Sequence, residues 1–242
     1  MTVAAGASAE RPESRTRPVI AVAGMAFEAK IARGAGVDAV FAARADLLER
    51  ALTAALARGA SGVISFGTAG GLAPDLPPGA LIVADAVDGP FGRVDTDPDW
   101  TARLAAALAA SPLASRVPVR RGVEAAVAAP VTGAAAKDAL FRSTGGALAV
   151  DMESHLAAAA AAAHGVPFAV CRAIVDPAWR SLPPAALAGL RDDGSTAVLP
   201  VLRELASRPS QLRALLQVAA DARAARATLA AARRILGRAG VL

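Results

Sequence analysis

The chain contains no tyrosine, two tryptophans, one cysteine and two histidines in 242 residues. A single Cys171 excludes an intrachain disulfide and any cysteine-built metal cluster, and its apolar neighbourhood marks it as inert core. His155 and His164 are too few and too far apart for a metal site, so none is expected. Aromatic residues make up only 3% of the chain. They do not alternate with basic residues, so a stacking platform for single-stranded nucleic acid is excluded, despite a net charge of +5. No apolar run reaches membrane length without a charge or a Gly/Pro break, and the start of the chain shows no signal-peptide pattern. A soluble protein of cytoplasmic type is expected.

What is present is apolar material, 55% of residues with a mean hydropathy of +0.43, much of it alanine. That suffices for the core of one large α/β domain. Residues 1–17 are small, polar and charged, which predicts a disordered leader, with one domain over 18–242. Val19 to Ala23 reads as a buried strand ended by Gly24, and Met25 to Ala32 as a short helix or turn. Glu28 then sits just past a strand's carboxyl end, where open α/β sheets place ligand chemistry. The competing account is a solvated carboxylate in a helix first turn. Asp46 to Arg58 is an amphipathic helix ending at Gly59, which completes a β-α-β unit with the next strand.

That strand, Val63 to Phe66, opens the most informative stretch, Gly62 to Ala84. It is expected to end in the turn Gly67-Thr68-Ala69-Gly70-Gly71, where glycines let the backbone approach a ligand. Pro77-Pro78-Gly79 launches a second apolar strand, Leu81 to Ala84. Asp85, Asp88, Asp95, Asp97 and Asp99 lack calcium-loop spacing and read as a polar loop. Thr101 to Ala110 and Lys137 to Phe141 are helical, with short strands at Val117 to Val119 and Val123 to Ala129. A second informative stretch follows. The strand Ala147 to Val150 runs into Asp151-Met152-Glu153-Ser154-His155, and the strand Phe168 to Cys171 into Arg172 and Asp176. With Glu28, two further carboxylates at the ends of buried strands predict an acidic cleft.

Three motifs carry a resemblance: Gly67-Thr68-Ala69-Gly70-Gly71-Leu72, Val150-Asp151-Met152-Glu153-Ser154 and Arg172-Ala173-Ile174-Val175-Asp176. In order and spacing they resemble the nucleoside phosphorylase superfamily, over roughly Val19 to Pro184. The branch most similar is methylthioadenosine/S-adenosylhomocysteine nucleosidase. More narrowly, the Asp-Met-Glu-Ser sequence, the Ala-Phe-Glu-Ala start and the Arg/Ala-rich tail resemble hopanoid-associated phosphorylases acting on adenosylhopane. The resemblance implies a three-layer αβα sandwich around a central mixed sheet, a homo-oligomer, a purine nucleoside substrate and no cofactor, with phosphate as a conceivable co-substrate. It implies Asp176 as the acid that protonates the base and Glu28 as the group activating water. Glu153 would bind the ribose hydroxyls, Met152 would pack on ribose and base, and Thr68, Ala69 and Gly70 would lie near the anomeric carbon. Arg172 would stand beside the site. Val175 replaces a serine next to the aspartate, and Val127 to Gly133 lacks the stacking aromatic, whose place Phe141 or Trp179 would take.

Residue chemistry agrees with those roles. Cleaving an N-ribosidic bond leaves negative charge on the departing purine, so an acid must protonate it. A carboxyl does so near neutrality only if burial raises its pKa. Phosphorolysis needs cationic donors. Ser65 stands where the phosphorylases carry an arginine, and Glu28 repels phosphate, so hydrolysis is preferred, with Arg44 or Arg172 the only phosphate holders in view. A non-catalytic nucleoside-binding or membrane-associated assembly protein on the same fold is the alternative class. Gln211 to Leu236 forms a C-terminal helix with a basic face, either packed and solvated or lying peripherally on the anionic inner membrane. Only about fifty residues separate the first strand from Gly67. The 5′ pocket is therefore expected to lack a wall and to suit a large, lipid-linked 5′ substituent.

Overall fold

The computed structural model describes residues 17–242; the expected leader falls almost wholly outside them. In chain order the elements are β1 (Val19–Ala23), α1 (Ala26–Ala32), β2 (Val37–Phe41), α2 (Ala45–Leu56), β3 (Gly62–Gly71), β4 (Leu81–Gly89), β5 (Gly92–Asp95) and α3 (Pro98–Ala109). There follow β6 (Val119–Ala126), α4 (Ala134–Ser143), β7 (Ala149–Asp151), α5 (Ser154–His164), β8 (Phe168–Asp176), α6 (Pro184–Leu187), α7 (Val198–Ser207) and α8 (Leu212–Arg238).

Strand parity builds the layers. On one face of the sheet, Ala21, Ala23, Ile64, Phe66 and Leu81 pack against α1, α3 and α8. The alternate residues Ile20, Val22, Val63 and Ala84 pack against α2 and α5 on the other. This is the expected αβα sandwich, and the sheet is mixed: β1 pairs in parallel with β2 and β3, whereas β7 runs antiparallel to β3. Because β8 pairs with β3 on one side and with β4 on the other, the sheet curls until β3, β8, β4, β6 and β7 form a closed circuit of pairings.

One detail of this pairing creates the site. Along one edge of β3, β1 covers Gly62 to Ser65 and β7 covers Gly70 to Gly71. Phe66 to Ala69 are left between the two, at a point where strand directions diverge, and such points are where α/β sheets open crevices.

Several local expectations are corrected. The Gly67 to Gly71 segment is strand rather than turn, because Gly70 and Gly71 find partners on β7 and Gly67 to Gly70 on β8. The acidic segment after Ala84 is mostly β4 continuing into a hairpin with β5. Thr96 Oγ1 donates to the carbonyls of Ala84 and Asp85. The two strands expected around Val117 and Val123 are one, β6, with the irregularity in β4 between Ala84 and Ala86. Helix α3 starts at Pro98, since Asp97 Oδ1 accepts the Trp100 N–H at 2.7 Å and caps it. The C-terminal helix is integral to the core: Ala225, Leu229, Ala232 and Leu236 are buried, and Arg233 Nε donates to the Ala32 carbonyl. No helix of the described residues is long and apolar enough to cross a membrane.

Candidate active site

Glu28 lies in the first turn of α1 and, contrary to the solvated alternative, is buried. Its Oε2 accepts the N–H groups of Met25 (3.0 Å) and Gly24 (3.2 Å) at the helix start. Its Oε1 crosses to the uncovered stretch of β3 and accepts Thr68 N–H at 2.8 Å and Thr68 Oγ1–H at 2.6 Å. The gap between β1 and β7 is therefore filled by a carboxylate.

Arg172 on β8 is fully buried under this point. Its Nη2 lies 2.6 Å from Asp151 and 3.0 Å from Glu153, Nη1 donates to the Thr68 carbonyl, and Nε donates to Ser65 Oγ. Ser154 ties the cluster together by donating to Asp151 while contacting Ser65. Burial works against the Arg172 charge, but Asp151 and Glu153 outweigh it and hold its pKa above the ordinary value. The same burial pushes Glu153 up to about 7, with Arg172 pulling it down and Asp151 adding to the rise. Glu124 on β6 completes the cluster: neither carboxyl oxygen has a partner, and desolvation, then repulsion from Asp151, raise its pKa far above the usual range.

Asp176 closes β8 on the other side of β3. Burial raises its pKa, opposed by Lys137 of α4, whose buried Nζ lies 2.5 Å from Oδ2. Val175 has no hydrogen-bonding side chain to offer; the support of the aspartate comes from Lys137, a residue that no motif singles out.

Between these groups lies a cleft of about 230 Å³. Glu28, Thr68, Ala69, Gly70, Met152, Glu153, Val175 and Asp176 all line it, as expected. Arg172 does not: it sits beneath the wall, beside the site, with its donors committed to protein acceptors. Glu153 and Asp176 follow strands that flank β3 on opposite edges rather than adjacent strands. Phe141 packs into the core behind β7 and Trp179 is exposed, so neither supplies a stacking surface. The corresponding wall is aliphatic, made of Val127, Pro130 and Val131 after β6. The side expected to be open is bordered by Leu182 and Leu190, on the segment after β8. That segment is anchored by Ala43 and Arg44 N–H donating to the Asp192 carbonyl and Ala26 N–H to that of Gly194. Among the described residues no group of His, Cys, Asp and Glu is arranged to hold a metal ion.

Comparison with known proteins follows this geometry. The family model of the Phosphorylase superfamily matches residues 16–183. A futalosine hydrolase from Streptomyces coelicolor is 39% identical over 140 residues, 49% of this chain and 57% of that protein. The match thus spans little more than half the length of that curated relative. Among solved structures, S-adenosylhomocysteine nucleosidase from Streptococcus pyogenes, in complex with 5-methylthiotubericidin, aligns with a TM-score of 0.59. It is 21% identical, over 69% of this chain and 87% of that one. The 5′-methylthioadenosine/S-adenosylhomocysteine nucleosidase from Neisseria meningitidis, in complex with methylthio-immucillin-A, gives 0.62 at 15% identity, over 92% and 99%. At these identities the structural likeness is one of fold.

Proposed function

The chain belongs to the phosphorylase superfamily, and from that premise we propose that it hydrolyses the N-ribosidic bond of a 5′-substituted purine nucleoside, releasing the free base. One observation carries the proposal. Glu28 abuts β3 at Gly67 and Asp176 abuts it at Gly70, and both line the same cleft. Two carboxyls at different points of one cleft suit the division of labour of glycosidases, where one carboxylate activates water and the other protonates the leaving group. Water oxygen attacks the anomeric carbon and gives its proton to Glu28. The C–N bonding pair leaves with the purine, which takes the proton of Asp176. Glu153 accepts from the ribose hydroxyls and Met152 packs against the ring, fixing the reacting geometry.

Water is preferred over phosphate because no arginine or lysine lines the cleft among the described residues. Arg172 is committed, and Arg44 pairs with Asp46 and Asp192. The futalosine hydrolase and nucleosidase relatives support a hydrolase acting on such nucleosides. For the 5′ group, a lipid-linked adenosine such as adenosylhopane is favoured by one feature. Leu190 borders the cleft and is exposed, as are Val198, Leu199 and Leu202 of α7 and Leu212 and Leu216 of α8, which supplies apolar surface on the elements that follow the cleft in the chain. This surface also suits a homo-oligomer contact or peripheral contact with a bilayer. The test is chromatographic detection of free base from methylthioadenosine, futalosine and a lipid-linked adenosine, with and without phosphate. Base release that needs phosphate would overturn hydrolysis, and no release from any of them would overturn the nucleosidase proposal.

A further inference from the structure

Lys137 is a fully buried cation that the proposed chemistry leaves unused. It is fully buried on α4, a helix with no other buried residue. Burying an ammonium costs several kcal/mol unless its donors are satisfied. Four acceptors surround Nζ: Asp176 Oδ2 at 2.5 Å, and the carbonyls of Asp176 (3.0 Å), Pro177 (3.1 Å) and Arg180 (3.2 Å). An ammonium has three N–H donors. Every one is therefore taken by protein, and Lys137 has nothing left for a ligand; nor does it line the cleft.

The consequence falls on Asp176. Its side-chain hydrogen bond to Lys137 is made through Oδ2, whereas Oδ1 makes no such bond among the described residues. The two oxygens are thereby made inequivalent: one is held by the cation, and the other is left without a partner on a residue that lines the cleft. Among the described residues the other charged group that bears on the carboxyl is Asp221 of α8, itself held by Arg180 at 2.8 Å. We propose that Lys137 is a positioning residue for the reaction: it clamps Asp176 Oδ2 so that Oδ1 alone delivers the proton to the leaving base, and its charge sets the upper pH limit of turnover.

The proposal rests on the nucleosidase function, and its sign can be worked out. Asp176 must enter the reaction protonated, so kcat/KM falls as pH rises through its pKa in the free enzyme. A cation beside a carboxyl favours the ionised form and lowers that pKa, by about one to three pH units. Removing the cation must therefore move the alkaline limb upward. A clamp that merely braced the loop carbonyls would lower the rate without moving the limb.

The experiment compares Lys137→Met, Lys137→Arg and the unmodified chain in two readouts: the pH profile of base release, and the titration of the Asp176 carboxyl by carbon NMR on aspartate-labelled protein, assigned with Asp176→Asn. Lys137→Met is expected to shift both limb and titration up by one pH unit or more, and Lys137→Arg to keep both near their original positions with reduced kcat. If limb and titration stay put in Lys137→Met, the proposal is overturned. If Lys137→Met does not fold, a titration in the folded Lys137→Arg protein that moves as far as the loss of charge requires overturns it as well. If the titration shifts but no variant or parent releases base, the nucleosidase function fails while the coupling of Lys137 to Asp176 stands.

Discussion

Glu28 and Thr68, forty residues apart, meet through two hydrogen bonds to one oxygen: Oε1 accepts both the backbone N–H and the hydroxyl of Thr68. The contact exists because β1 and β7 leave the edge of β3 uncovered between Ser65 and Gly70. Without the carboxylate, the Thr68 N–H would face an empty gap. Glu28→Gln is expected to lower kcat by about 10²–10⁴-fold, the range for loss of one general base. Thr68→Val keeps the shape and the N–H contact, and should cost far less. Steady-state base release for both variants checks this; near-equal losses would remove Glu28 from the role of base.

Arg172 is the single cation shared by Asp151 and Glu153 in a buried cluster. Replacing it with methionine leaves two buried carboxylates without a cation, and breaking such a pair costs about 3–5 kcal/mol. The loss should appear in urea unfolding at pH 7 and shrink at pH 5, where the orphaned groups can take up protons. A variant unfolding at the parent's midpoint at both pH values would contradict the ionic account of the cluster.

The β-α-β start, the helix closed by Gly165 and the carboxylates at strand ends were legible because period-2 and period-3.6 patterns and a positive-φ glycine report local structure directly. The Gly67 to Gly71 run misled, since a glycine-rich sequence looks like a turn until its ladder partners on β7 and β8 are known, and those lie about 80 and 105 residues away. Lys137 and Glu124 were illegible for the same reason. Their burial is decided by α4 docking beside β8 and by β6 pairing with β7, and neither contact leaves a periodic trace in the sequence. Asp151, to which the resemblance assigns no role, is the nearest acidic partner of Arg172.

Glu153 couples pH to both folding and binding. Its folded pKa of about 7 lies above the ordinary glutamate value of 4.5. Folding thus favours the protonated form, and the stability it contributes at low pH is lost as pH rises from about 4.5 to 7. The loss amounts to about 3 kcal/mol at 1.36 kcal/mol per pKa unit. Ribose hydroxyls donate to the ionised form, so nucleoside affinity is expected to rise as pH passes through about 7. Calorimetric titration from pH 5.5 to 8.5 checks the slope. Glu153→Gln should bind more weakly and show a flat profile.

Glu124 makes the opposite kind of prediction, a gain. Its buried carboxyl has no hydrogen-bond partner and a pKa far above the ordinary value. Burial favours its neutral form in the folded chain over the unfolded one, which penalises folding increasingly as pH rises above about 4.5. Glu124→Gln keeps the volume and removes the titratable group. The variant should be more stable than the parent at pH 7, with the gap narrowing as pH falls toward about 4.5. Denaturant midpoints across that range decide it, and a variant weaker than its parent at every pH would show that the neutral carboxyl is not the folded form.

Gly67 joins the two halves of the site. A β-carbon there would lie 2.8 Å from Arg172 Nη1 and 2.9 Å from Glu28 Cδ, both closer than real β-carbon contacts allow. Glycine is needed here for close approach, since Gly67 is not among the residues with positive φ. Neither neighbour can yield freely. Arg172 is locked by Ser65, Thr68, Asp151 and Glu153, and Glu28 by four donors from Gly24, Met25 and Thr68. Gly67→Ala must therefore displace one by several tenths of an ångström, at about 1–3 kcal/mol for an overpacked site. Displacement of a positioned catalytic group by as much as 1 Å can cost about 10²-fold in rate. The variant is expected to remain folded, lose a few degrees in Tm, and drop kcat far more than nucleoside affinity, because Met152 and Glu153 lie in the turn after β7 and the nearest atoms the new methyl would meet belong to Arg172 and Glu28. Parallel measurements of Tm, nucleoside Kd and kcat test that separation. A loss of affinity matching the loss of kcat would mean that Gly67 shapes the binding cleft as a whole and not the placement of Glu28.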